Sequence, residues 1–252
     1  MLGNRAEYDK MAAAETTHWW YTTLHGQVLK NLQRHFNFKK DIALLDAGCG
    51  TGGLMLYLKQ QGYTNTQGFD ISDDALTHCR KRNLMVSRLG LQQVGDFYKP
   101  QSVDAIICCD ALYFLDFEQQ QKVLQYFAAM LKPKGLLLLN LPALDVFSGT
   151  HDISVGIKKR YHHAMLYQLL PAHLGLSSIT FRYWPVAVSP VIALARARQR
   201  KKMNERASSA VSDVSLPGLA VNTLLKVILA TEMQLPPVIN FGSSLFVEVI
   251  KK

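Results

Sequence analysis

The chain is poor in cysteine: Cys49, Cys79, Cys108 and Cys109 are the only four in 252 residues. They form no CxxC pair and no Cys/His cluster at metal-ligand spacing, which argues against a metal site and for free thiols in a reducing compartment. Long apolar runs are also missing. The longest stretches, 136–144 and 219–230, are too short to span a bilayer. Residues 1–10 are polar and charged, unlike a secretory signal. The expectation is a soluble, cytoplasmic protein without a transmembrane segment. Acidic residues are fewer than basic ones, 19 against 28, leaving a formal charge of +9. That balance fits nucleic acid, an anionic membrane, an acidic substrate or a merely solvated basic surface, and chooses among none of them.

What is present suits one large α/β domain, or one domain carrying an insertion, since 48% of the residues are apolar. The first forty residues have helical spacing. Short apolar runs then follow at 42–45, 66–69, 91–94, 103–109 and 136–141, each ending in Gly or Asp, with helix-length segments between them. Alternating β and α units imply parallel strands with helices on both faces. Lys132-Pro133-Lys134-Gly135 is a turn. Segments 179–184 and 244–250 read as strands, separated by about sixty residues of helical periodicity punctuated by proline. The predicted organisation is an N-terminal helical cover (1–40), a core domain (41–184 and 243–252) and a helical, lid-like insertion (185–242).

The chemistry is concentrated in Asp46-Ala47-Gly48-Cys49-Gly50-Thr51-Gly52-Gly53. A strand running through a glycine turn into a helix lets a ligand approach the backbone closely. Gly48, Gly50 and Gly53 also satisfy GxGxxG, so the glycines alone allow a dinucleotide and an NAD-dependent oxidoreductase. Three acids decide otherwise. Asp46 precedes the first glycine, where it can attract an ammonium group and would repel a pyrophosphate. Asp70 closes the next predicted strand and can take both ribose hydroxyls. Asp96, read as closing the third strand, can accept from an adenine amino group, with Phe97 beside the ring.

Residues 40–142 resemble the class I S-adenosylmethionine-dependent methyltransferase domain through LLDAGCGTGG, GFDIS, VGDF, VDAIICCDALYFL and LKPKGLLLL. The resemblance implies a Rossmann-like, seven-stranded, mostly parallel sheet whose last strand is antiparallel and inserted between the fifth and sixth. It implies S-adenosyl-L-methionine as cofactor and S-adenosyl-L-homocysteine as product. The methionine end would be held by the loop from Gly48 through Cys49 and Gly50 to Gly52. Ribose would fall to Asp70 with Ile71, adenine to Asp96 with Phe97, and the methyl group would face Cys109 and Asp110. His18-Trp19-Trp20-Tyr21 is similar to an HWWF/Y segment of a bacterial subset acting on small molecules, often in specialised or glycan-linked metabolism.

The acceptor is less constrained. Many relatives carry D-x-L-x-H after the fourth strand; here it is Asp110-Ala111-Leu112-Tyr113-Phe114, without the histidine. No Asn/Asp-Pro-Pro-Tyr/Phe motif is present, which argues against a nucleobase amine, and no RNA-binding module is visible. The candidate bases are His151 and His18, then Tyr113. Trp19, Trp20, Tyr21, Tyr113, Phe114 and Tyr161 are the candidate substrate contacts. Adjacent helical residues point about 100° apart, so at most two of the aromatic trio can face the core. The basic runs Lys158-Lys159-Arg160 and 196–206 suit an acidic substrate or solvent, and leave a protein or RNA substrate as the rival to a small metabolite.

Overall fold

The computed structural model describes residues 5–205 and 217–252, apart from the side chains of residues 151, 154 and 202–205. A single seven-stranded sheet organises them. Its strands are β1 (Leu44–Ala47), β2 (Thr66–Asp70), β3 (Met85–Arg88), β4 (Val103–Cys109), β5 (Leu131–Pro142), β6 (Leu176–Trp184) and β7 (Ser244–Lys251). Their order across the sheet is β3-β2-β1-β4-β5-β7-β6, and β7 runs antiparallel to both neighbours. The predicted α/β architecture with its inserted antiparallel last strand therefore holds.

The cover consists of α1 (Arg5–Ala14) and α2 (Trp19–His35). Helices α3 (Gly53–Gln60) and α4 (Asp73–Lys81) follow the first two strands, and a short α5 (Val94–Phe97) follows β3. Next come α6 (Phe117–Met130), α7 (Thr150–Val155) and α8 (His163–Leu169), then α9 (Ser189–Glu205) and α10 (Leu219–Glu232) between β6 and β7. No helix among the described residues is long and apolar enough to cross a membrane.

Alternation along β4 divides the core. Ile106 and Cys108 face one cluster with Leu124, Phe127 and Leu166, while Ala105 and Ile107 face another with Val28, Leu32 and Leu58. Continuous burial on both sides is what a parallel central strand requires.

The third strand departs from expectation. It lies at 85–88, not 91–94, because an edge strand that is only half covered carries no long apolar run. Residues 91–93 form a turn of 3-10 helix, and Val94 is buried as α5 packs on α6. Gly95 lies directly over Tyr126, so close that a Cβ there would come within 2.3 Å of the ring. The strand following Lys132-Pro133-Lys134-Gly135 begins earlier than expected. Pairing jumps from Val103↔Leu131 to Ala105↔Leu136, so the turn is extruded as a bulge within β5.

Candidate active site

The carboxyl ends of β1, β2 and β4 converge on the glycine loop. Gly48 has φ +80°, and a Cβ on it would lie 2.4 Å from that of Ala111, so the loop and the segment after β4 touch. At Gly50, also left-handed at φ +54°, the nearest atom to a Cβ is Met11 Sδ at 3.5 Å. Gly50 is thus a loop position with room above it. Its amide donates to Asp70 Oδ2 at 3.0 Å, and Ser72 N donates to Asp70 Oδ1 at 2.9 Å. The amide of Ile71 is a third backbone donor to this carboxylate. Burial raises the carboxyl of Asp70, and the amides oppose that rise. Ile71, next in the chain, is half exposed beside Gly90.

Asp46 is 3% exposed, and among the described residues no group donates a hydrogen bond to its carboxylate. Burial, then the charges of Asp70 and Glu15, push it up to about 7. A buried acid without a donor is costly unless it is protonated or meets a cation. That orphaned group fits the ammonium of an amino-acid moiety.

Asp110, at the end of β4, is the opposite case. It holds a left-handed φ of +55°, a conformation that costs on the order of 1–3 kcal/mol in a non-glycine residue and clusters at functional sites. Asn140 Nδ2 donates to both of its carboxylate oxygens at 3.0 Å, and the Asp110 amide donates to the Asn140 carbonyl at 3.0 Å. Trp184 Nε1 donates to Asn140 Oδ1 at 3.0 Å, which fixes which end of the amide faces Asp110. Burial pushes Asp110 up to about 7 despite the amide.

These features agree with the comparisons. Residues 44–135 match a family described as a methyltransferase domain. A ubiquinone biosynthesis O-methyltransferase of Rickettsia bellii is 25% identical over 160 residues, covering 55% of this chain and 65% of its own length, just under two thirds. An S-adenosylmethionine-dependent methyltransferase from Archaeoglobus fulgidus superposes with a TM-score of 0.57 at 18% identity, over 90% of this chain and 94% of that one. The phosphoethanolamine N-methyltransferase 2 of Haemonchus contortus in complex with S-adenosylmethionine gives 0.56 at 16% identity, over 90% of this chain and 52% of that one. Residues 44–135 thus carry a methyltransferase domain, in a fold shared with S-adenosylmethionine-dependent methyltransferases.

The carboxyl ends of β1, β2 and β4 bring Asp46, Gly48, Cys49, Gly50, Gly52, Asp70, Ile71, Cys109 and Asp110 to one rim. Asp96 and Phe97 depart from that arrangement. Both lie in α5, past the end of β3, and both are exposed, Phe97 by 58%. Residues 91–94 pack Leu91 and Val94 on α6 and carry the acid past the end of β3, where Arg88, Leu89 and Gly90 stand.

Among the acceptor-side residues, His18 caps α2: its Nδ1 accepts from Trp20 N at 3.2 Å. That bond leaves the ring proton on Nε2, so the neutral ring can donate there but not accept. His151 lies in α7, and its side chain is outside the described residues. Tyr113 is buried and its phenol is raised, first by burial and then by Asp110, so it stays protonated. Tyr161 is 1% exposed within the core, its phenol pushed up by burial to about 12. Phe114 borders a recess of about 400 Å³ with Asp152, Ile157 and Lys158. Of the aromatic trio, Trp20 stacks on Trp184 (5.5 Å, 24°) and Tyr21 meets Trp20 edge-on, while Trp19 donates its amide to Asn222 of α10.

Two residues carry weight that the sequence reading missed. Glu15, between α1 and α2, is 4% exposed; it accepts from Thr51 Oγ1 at 2.8 Å and Gly53 N at 3.0 Å and pairs with Arg82. Arg82 in turn donates to the carbonyls of Thr51 and Ala12, so the cover is fastened to the loop. Asn140 was visible as one amide inside the run Leu136–Leu141, a buried polar residue needing a partner. A separate groove of about 1000 Å³ lies between α2, α10 and the β6–β7 edge. Its Lys30 and Arg182 are committed to carbonyls at the end of α10, which makes them helix caps.

Proposed function

We propose that the protein transfers a methyl group from S-adenosylmethionine to an oxygen of a small metabolite, releasing S-adenosylhomocysteine. The observation that carries this reading is the pair of strand-end carboxylates: Asp46, buried and without a donor, and Asp110, half-buried and held in a fixed pose by Asn140. Bound S-adenosylmethionine supplies an activated methyl on a sulfonium sulfur, so the chain's tasks are alignment, exclusion of water and uptake of the acceptor's proton. Alignment of this kind contributes about 7–11 kcal/mol to such reactions.

In this reading Asp46 receives the ammonium, the backbone at Gly50 leaves space for the methionine end, and Asp70 takes the ribose hydroxyls with Ile71 against the adenine. Asp110 takes the proton of the acceptor hydroxyl, a role suited to a carboxyl near 7. Tyr21, Tyr113 and Phe114 would wall the acceptor. An O-methyltransferase among the relatives supports the oxygen preference. The HWWY segment keeps specialised and glycan-linked metabolism as its setting. The protein or RNA alternative loses its main support: Arg160 is 8% exposed and bound to Asp152, so Lys158-Lys159-Arg160 is not a free basic triple.

Calorimetric titration with S-adenosylhomocysteine tests the cofactor half. Gly50→Val fills the free space and should weaken binding by about 1–3 kcal/mol, the cost of overpacking. Unchanged affinity would refute this pose, and tight NADH binding without S-adenosylhomocysteine binding would return the oxidoreductase reading.

Asp46 gives a pH signature. An acid lifted in the folded state binds protons that the unfolded chain has lost, so Asp46 costs stability as the pH climbs from about 4 to about 7. A cation beside it reverses that preference. Binding of S-adenosylhomocysteine should therefore tighten from about pH 6 to about pH 8, and the slope should flatten in Asp46→Asn. An equal slope in both proteins would remove Asp46 from the ammonium site.

A further inference from the structure

The two helices between β6 and β7 present an unusual surface. On α10, Leu219 is 84% exposed, Leu224 and Val227 are each 59% exposed and Val221 is 53% exposed. Ala220, Leu224, Val227 and Thr231 fall on one side of the helix, opposite the buried Asn222, Leu229 and Glu232 that face the protein. Neither charge of α10 is on that outer side: Glu232 accepts from the amides of Val186 and Ala187, and Lys226 lines the groove beside α2. A solvated helix normally turns its polar face outward, and this one does the reverse.

Helix α9 continues the pattern with charge added. Val191 (71%), Leu194 (53%), Arg198 and Lys201 share one exposed stripe, apolar in its first half and cationic in its second. Its other side is anchored, with Arg200 donating to the carbonyls of Val146 and Ser148 after β5. Both helices therefore sit on the rim of the site: α9 on the turn after β5, α10 through Asn222 on Thr17 and Trp19. Ile153 (60%) and Val146 (43%) add apolar surface there, and Lys158 and Lys159 add positive charge beside the exposed acid Asp145.

We propose that this rim docks on an anionic lipid bilayer, with the apolar side chains of α9 and α10 in the acyl boundary and the cations among the headgroups. Apolar residues adjoining long basic side chains on one helical stripe match that boundary, where Arg and Lys stems lie in the apolar zone and their charges reach phosphate. The net charge of +9 favours an anionic surface and works against a second copy of the chain, which would bring the same cations. The inference does not depend on the acceptor's identity.

Co-sedimentation of the whole chain with phosphatidylcholine vesicles, with and without phosphatidylglycerol, tests it. Binding should require the anionic lipid and weaken as salt rises from about 0.05 M to about 0.5 M. Leu224→Glu/Val227→Glu and, separately, Arg198→Glu/Lys201→Glu should each lower partitioning by about tenfold or more. Both variants should bind S-adenosylhomocysteine like the parent, which reports an intact fold independently of the lipid result. Three outcomes would overturn the proposal. They are no affinity for the anionic vesicles, equal binding to both compositions, or a dimer in analytical ultracentrifugation that the α10 variant dissolves while vesicles are ignored.

Discussion

Asparagine in place of Asp110 is expected to lower turnover of a hydroxyl acceptor by about two to four orders of magnitude, the range for loss of a general base. The affinity for S-adenosylhomocysteine should stay within about threefold, because the interaction removed is made only on the way to the transition state. Asn suits the test for two reasons. It tolerates the left-handed φ of +55° better than other replacements, so the backbone keeps its shape. Its carbonyl oxygen can still accept from Asn140 Nδ2, whose orientation Trp184 Nε1 fixes. The lost oxygen is then the one that would take the proton. The pH profile separates a base from a mere packing partner. Asp110 lies near 7, so the parent's rate should rise from about pH 6 to about pH 8, and that limb should vanish in Asp110→Asn. Turnover within a few-fold of the parent, with the limb intact, would assign the proton to another group.

The sheet and the cofactor loop were legible because their signals are local and redundant. Each buried parallel strand writes its own apolar run, and the glycine loop sits where β1 hands the chain to α3. Even the antiparallel β7 could be placed, because its apolar pattern returns after the helical insertion. The third strand was not legible for a physical reason: at the sheet's edge β3 is half exposed, while Leu91 and Val94 pack apolar side chains on α6 from a turn and a short helix. The shift of the strand moves Asp96 into α5. Asp96 belongs to a segment with a strand-like signal but has its side chain in solvent.

Long-range partners form the other blind spot. Glu15 meets Thr51 and Gly53 across more than thirty residues of chain. Nothing in the surrounding Ala-Ala-Glu-Thr-Thr announces that contact. His18 was read as a base because of the segment it belongs to, yet its position just before Trp19 makes it a helix cap. The same residue type serves both purposes, and only the backbone geometry separates them. Asn140 is the instructive contrast, since an amide within a leucine strand has to find a partner, and that partner is the acid at the reaction end of β4.

The basic run Lys158-Lys159-Arg160 provides the largest expected effect on stability, because burial divides it. Arg160 sends Nε and Nη2 to the two oxygens of Asp152, both at 2.7 Å, and Nη1 to the carbonyls of Ala143 (3.0 Å) and Ser243 (3.4 Å). One side chain thus ties the end of β5, helix α7 and the residue before β7. Arg160→Ala should cost about 3–5 kcal/mol, since it leaves Asp152 as an unpaired charge in a nearly dry site. At about 2–4 °C per kcal/mol for a chain of this size, the melting temperature should fall by roughly 6–20 °C. Lys158→Ala/Lys159→Ala, at exposed positions, should stay within about 0.5 kcal/mol of the parent per substitution. The double variant Asp152→Ala/Arg160→Ala should be less damaged than the two single losses added together, because removing both partners leaves no stranded charge. Urea melts of the parent, Arg160→Ala, Asp152→Ala, their double variant and the lysine double variant decide the matter. An Arg160→Ala protein as stable as the parent would mean that water solvates Asp152 and that the run is a solvent-facing basic patch after all. A cost in the expected range would make Arg160 the brace of the recess that Phe114 and Asp152 border.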